Sequence, residues 1–354
     1  MQDLTFSGNI YIFHAFDIGE EIPLGRIQKM SPLTIIPRTL PKYFKNYHAP
    51  LSIELPHPHA NSRCIGGKIH HFGAMSLTYK IPFNNTFKHI RGLVNQFSEE
   101  YLEQSVNDAK SIFKRIKKLI TNPTFFHTRA SHLVIQIDPQ PEIDIKQLKE
   151  QYSSIIASML RFETETLSEH QKNEILQSAV GYFRGDFIVI DVDASFVYDA
   201  EYEEILDLFE FANIQQLELR YFDRLLDKKL NAMYEEEAHK LPWRMYLPFI
   251  GTNFNDPVTQ LGKLKVDISV ITEQLESSIK FAGEPYVSEL YDLLVENLDL
   301  KNWRNSIDRK LSIIQDIQTI YQHKVDINRE DFLNLLIIGL IFTELVVGLL
   351  HYLK

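Results

Sequence analysis

At 354 residues the chain is long enough for one large domain or two ordinary ones, each with a substantial core, which excludes a mini-protein. A formal net charge of -10 excludes a nucleic-acid-binding surface spread over the whole molecule, and 44% hydrophobic with 24% charged residues excludes large-scale disorder. The single cysteine, Cys64, excludes an internal disulfide and fits a reducing compartment.

In chain order, Asn9 to Phe16 alternates apolar with other residues and is dense in aromatic and β-branched types, which predicts a half-buried strand. Its lead-in has no basic region before an apolar core, so it does not read as a secretory signal. A short helix is expected within Glu20 to Lys29, then loop or edge structure through the Pro-punctuated tract from Pro32 to Pro58. Lys68 to Pro82 carries Met75, Leu77, Tyr79 and Ile81 in alternation and predicts one strand or two. Thr86 to Ile120 reads as helix, with apolar residues from Phe87 to Leu119 at helical spacing and a basic cluster from Lys110 to Lys118. Strands are expected at His132 to Ile137 and Phe187 to Val192. Between them Asp144 to Gln177 reads as helical, with a capping signature at Ser168 and Gln171.

Past a boundary near Asp199 the pattern changes. Tyr202 to His239 reads as one helix, a rod of roughly 57 Å, without Gly or Pro. Pro242 and Pro248 break the chain, and a loop runs to Pro257. Leu261, Leu264, Ile268, Ile271, Leu275 and Ile279 mark a second long helix with the near-heptad spacing of a coiled coil, ended by Gly283 and Pro285. Tyr286 to Leu298 is a third, and a fourth begins at Lys301, where Trp303, Ile307, Leu311, Ile314, Ile317, Tyr321 and Val325 form a stripe. The stripe runs into Phe332 to Leu353, an apolar run in the length range of a membrane-crossing helix. The expected fold is α+β: a mixed body over 1–199, a long antiparallel helical hairpin or bundle over 200–330, and a transmembrane anchor over 331–354.

Several clusters bear on chemistry. His57, His59, Cys64, His70 and His71 carry zinc-ligand chemistry, but their spacing fits none of the usual structural patterns, so a loop and a strand are the preferred reading. Asp191 and Asp193 share one face of a predicted strand and with help could hold a divalent ion; turn and cap roles are the preferred reading. The basic cluster at Lys110 to Lys118 reads as a solvated helix face, with anionic lipid or RNA as its alternative partners. The long helix is apolar on nearly every side, so Glu210, Asn213, Arg220, Asp223 and Asp227 must be paired or reach the surface. Arg220 with Asp223, and Asp227 with Arg224 or Lys228, have helical-neighbour spacing, and a polar network fixing helix register is expected, with an active site as the alternative. In the terminal run, Glu344 costs about 2.5–3.5 kcal/mol at a bilayer centre and calls for a partner helix in an oligomer or for protonation, the alternative being a helix that packs inside a soluble helical assembly. There is no Gly-rich phosphate loop, nucleophile elbow or HExxH motif.

The segment NSIDRKLSIIQDIQTIYQHKVDINREDFLNLLIIGLIFTELVVGLL, with the stretches DFIVIDVDASFVYD and NIYIFHAFDIGEEIPLGRI, resembles the required-for-meiotic-nuclear-division family. In that family a Leu/Ile-striped helix leads into a span with a central acidic residue, here Glu344. ELRYFDRLLD looks more like its bacterial branch. The resemblance implies a membrane-tethered protein without an established enzymatic activity, whose mitochondrial member supports organelle translation; it carries over no catalytic residues and implies no cofactor. No Arg- and Ser-rich transit segment opens this chain, which favours the cytoplasmic face of a bacterial inner membrane. The expected function is a tail-anchored scaffold or adaptor, lipid-bound through its last helix and self-associating, with a protein partner and no direct nucleic-acid ligand. The alternative is a metal-dependent enzyme using Asp191, Asp193 and Glu210 with histidines of the early loop.

Overall fold

The computed structural model describes residues 4–19, 22–30, 33–36, 42, 44, 49–54, 63–125, 129–181, 185–235, 257–277 and 285–353. The expected breaks at Pro242 and Pro248, and the histidines His57 and His59, lie outside the described residues. The chain is α+β, and it divides into two compact units: Met1–Tyr221 with Glu273–Trp303, and Phe222–Thr272 with Arg304–Lys354.

The first unit is built on one sheet. Its strands are β1 (Phe6–Asp17), β2 (Ile35–Ile36), β3 (Leu51–Glu54), β4 (Cys64–Ile69), β5 (Ala74–Asn85), β6 (Arg129–Ile137), β7 (Ala179–Val180), β8 (Phe187–Ile190) and β9 (Ala194–Tyr198), in the order β2-β3-β4-β5-β1-β6-β9-β8-β7. Only β6 and β9 run parallel; every other pair is antiparallel. The long central strand β1 pairs with β5 from Phe6↔Asn85 to Asp17↔Ala74 and with β6 from Gly8↔Ile137 to Phe16↔Arg129. Gly8 is needed where β1 meets β6, because a Cβ there would lie 2.0 Å from the Gln136 carbonyl oxygen. The β4–β5 hairpin turns through His70 to Gly73, whose φ of +113° suits glycine.

Helices cover both faces. On one face lie α2 (Phe87–Ile116), capped by Thr86, and α3 (Ile145–Leu160), opened by a capping box of Asp144 and Gln147. Phe6, Ile10, Ile12 and Phe16 of β1 join Ile90, Val94, Ile112, Leu148 and Ile156 in that core. The stretch expected as helix from Asp144 to Gln177 is two elements, because α3 ends at Leu160 and α4 (Glu169–Leu176) starts anew at Ser168, whose hydroxyl accepts from Gln171 N. The other face carries α5 (Glu203–Glu235), whose first half belongs to this unit. Strand alternation sends Tyr11, Phe13, Ala15 and Asp17 of β1 to that side; Tyr11 meets Tyr202 just before the helix. A short helix α1 (Leu24–Met30) and α7 (Pro285–Asn297) complete the unit.

The second unit is helical. It combines the end of α5 with α6 (Pro257–Ser277) and α8 (Leu300–Tyr352), an uninterrupted helix of 53 residues. Leu226, Ile268, Ile307 and Ile314 are buried, and beyond them Arg329–His351 is apolar enough to cross a membrane, its most apolar 18 residues having a mean hydropathy of 2.4 and none of them buried.

Candidate functional site

A sheet face is usually covered by apolar side chains, yet the face under α5 is rich in polar ones. Asp207, Glu210 and Glu218 lie along one side of the helix at helical spacing, all buried. Register places Lys68 of β4 beside Ser76 of β5, which sits beside Ala15 of β1, so side chains far apart in sequence converge beneath the helix. Lys68 Nζ donates to Asp207 Oδ1 at 2.8 Å and to Glu210 Oε2 at 2.5 Å, and the Ser76 hydroxyl donates to the other Glu210 oxygen. Lys68, Asp207 and Glu210 are nearly solvent-free, so the charges act at low dielectric and are strongly coupled.

Three further groups continue this layer. Glu218, 1% exposed, is held well above the usual carboxyl range by burial first and then by the charge of Asp17, at the end of β1. Asn213 fastens the helix to the sheet by donating to the backbone carbonyls of Phe13 and Ala130 at 3.4 and 3.3 Å. His132 of β6 lies flat against Phe209, shares a hydrogen bond with Ser195 at 2.8 Å, and is kept neutral by burial, which lowers it to about 4. His70, in the hairpin beside Lys68, is likewise lowered by burial and by the Lys68 charge. The cleft bordering Lys68, His70, Asp207 and Glu210 measures about 10 Å³, room for about one water. The layer therefore holds a helix in place with charges, and an organic substrate does not fit between them.

The remaining candidate residues are placed as follows. Asp223 and Asp227 lie in the second unit, each 2.7 Å from Lys310 of α8, and Asp223 also accepts from Ser306 at 2.6 Å. Arg220 lines a separate cleft of the first unit. Glu344 is on the exposed apolar part of α8. Asp191 and Asp193 follow the last residue of β8 in the turn to β9, and Asp191 is 2.6 Å from Arg161. Burial raises Asp191 above the usual carboxylate range, which the Arg161 charge opposes. Cys64 is buried in β4, its thiol pushed up to about 12 by desolvation, and His70 and His71 lie in the hairpin turn. Among the described residues no group of three or more His, Cys, Asp or Glu is placed to hold a metal ion. Sequence reasoning missed Lys68, Ser76, Asp207, Glu218 and Asp17. The available signal was the run of carboxylates at 207, 210 and 218 on one side of an otherwise apolar helix.

A family model described as the N-terminal domain of uncharacterised protein MJ0711 matches residues 7–204. The chain belongs to this family. The match takes in the sheet, α2, α3 and α4, and stops at the first turn of α5. The uncharacterised protein MJ0711 of Methanocaldococcus jannaschii is 28% identical over 222 residues, covering 59% of this chain and 62% of that protein. The chain thus spans somewhat less than two thirds of this relative of the MJ0711 family. No solved structure matches.

Proposed function

We propose that the protein is a membrane-tethered adaptor, with the helix Arg329–His351 in the bilayer and the α+β body presented to a protein partner on the cytoplasmic side. The observation that carries this reading is α8: one continuous helix is buried at Ile307 and Ile314 and then offers a predominantly apolar segment of 23 residues whose most apolar stretch has none buried. An apolar surface of that extent on a soluble protein marks an interaction or membrane site, and the length suits a hydrocarbon core of roughly 30 Å. The resemblance of Asn305–Leu350 to the ending of the required-for-meiotic-nuclear-division family supports the same reading and suggests translation as the process served. Glu344, placed within the span, favours pairing of two or more copies through this helix.

The alternative, a metal-dependent enzyme built on Asp191 and Asp193, has less behind it, since Asp191 faces Arg161 in a turn. Sidedness is tested with sealed vesicles of both orientations: protease should digest the body in inside-out vesicles and spare it in right-side-out ones. Protection in the inside-out vesicles contradicts the cytoplasmic placement.

A further inference from the structure

The first unit contains a second cleft that the polar layer does not share, with a volume of about 480 Å³, well within the range of small-molecule sites. One wall is the start of β6, where Arg129 and Ser131, two residues apart on a strand, share a face. The opposing residues include Gln216 and Arg220, one helical turn apart on α5, and Trp303 at the start of α8; Asp193 of the β8–β9 turn also borders the cleft.

Two features single this cleft out. Arg129 is half-buried, and among the described residues no carboxylate lies within ion-pair distance of it, so a guanidinium partly stripped of water borders a ligand-sized space. The Ser131 hydroxyl on the same wall is fixed by buried His14, 2.7 Å away through Nδ1, so a hydroxyl is held in place near the cation. Arg129 and Arg220 are matched in number by Asp193 and Asp299 among the lining residues, so the cleft carries no net formal charge in a chain of net charge -10.

We propose that this cleft binds a mononucleotide-like ligand, a phosphate monoester carrying a planar ring. Arg129 supplies the planar, multi-donor cation that phosphate oxygens match, with Arg220 on the same lining. Trp303 supplies a face for stacking the ring, and Asp193 an acceptor for a ring amino group or a sugar hydroxyl. This inference does not rest on membrane attachment and stands or falls separately from the adaptor reading.

Isothermal titration of the full-length chain in non-ionic detergent tests it, with AMP, GMP and UMP, adenosine, and inorganic phosphate as probes. At least one mononucleotide should bind saturably, with inorganic phosphate and the nucleoside each tenfold weaker or more. Arg129→Gln and Trp303→Ala should each weaken the mononucleotide tenfold or more with unchanged circular dichroism. If Arg129→Gln does not fold, Arg220→Gln on the flank of α5 takes its place. Absence of saturable binding by all three mononucleotides overturns the proposal. So does binding that folded arginine variants leave unchanged, or inorganic phosphate binding as tightly as the best mononucleotide.

Discussion

Replacing Lys68 by Met removes the cation that, among the described residues, Asp207 and Glu210 share, and keeps most of the aliphatic stem. The three side chains are 9%, 7% and 4% exposed, so solvent does not replace the lost partner. Breaking a buried ion pair from one side costs about 3–5 kcal/mol, because the remaining charges stay desolvated. For a unit of this size each kcal/mol lowers Tm by about 2–4 °C, so the midpoint should fall by roughly 6–20 °C. Thermal unfolding of the full-length chain in non-ionic detergent, followed by circular dichroism, reads this directly. The triple variant Lys68→Met, Asp207→Leu, Glu210→Met removes all three described charges together and should recover most of the loss, since apolar replacement of a whole buried network is often neutral or stabilising. A Lys68→Met midpoint within about 2 °C of the parent, or a triple variant no better than the single, would refute the account of this layer.

Glu218 gives a pH signature of known sign. Its folded carboxyl is held above its unfolded value by burial and by Asp17, so its contribution is greatest below the unfolded value of about 4.3 and declines as pH rises towards the folded one. Each unit in that window costs about 1.4 kcal/mol. Glu218→Gln should therefore be the more stable protein at pH 8 and flatten the alkaline arm of the denaturation curve; equal slopes for the two proteins would count against the shift. His14 and His132 act on the acid side. Burial lowers them to about 3 and about 4, so both are neutral in the fold, and stability should fall as pH drops from about 6.5, where unfolded histidine takes up its proton. The double variant His14→Gln, His132→Gln should reduce that acid dependence and leave the share due to buried His70, as seen in urea midpoints at pH 7 and pH 4.5. In the terminal helix, Glu344→Leu should shift crosslinked full-length chain in membranes towards the monomer while membrane attachment persists; an unchanged crosslinking pattern removes Glu344 from helix pairing.

The parts of this fold legible in the sequence are those set by local period. β1, β5 and β6 alternate, α2 and α5 repeat at helical spacing, and the capping signature at Ser168 marks a start that the backbone uses. The sheet as a whole was not legible, because β9 is five residues without a polar alternation and β2 and β7 are two residues each; only pairing defines them. The polar residues of α5 show the same limit more sharply. Glu210 and Asn213 stand out in an apolar helix, which is a local signal. Their partners do not: Lys68 lies 142 residues from Glu210, and Asn213 meets the carbonyl of Phe13 across 200 residues. Lys310 likewise meets Asp223 across 87 residues, a partner that the spacing along the helix does not indicate. Spacing thus identified side chains that needed partners, and register decided which ones they met.

The most direct test of the account is the membrane behaviour of the full-length chain beside a truncation ending at Arg329. After expression, membranes are washed with alkaline carbonate and both fractions are probed for the body. The account predicts that the full-length chain stays with the membrane while the truncation is soluble and folded. A full-length chain that carbonate releases, or that remains soluble without detergent, would show that Arg329–His351 packs against protein, and the adaptor reading would lose its anchor.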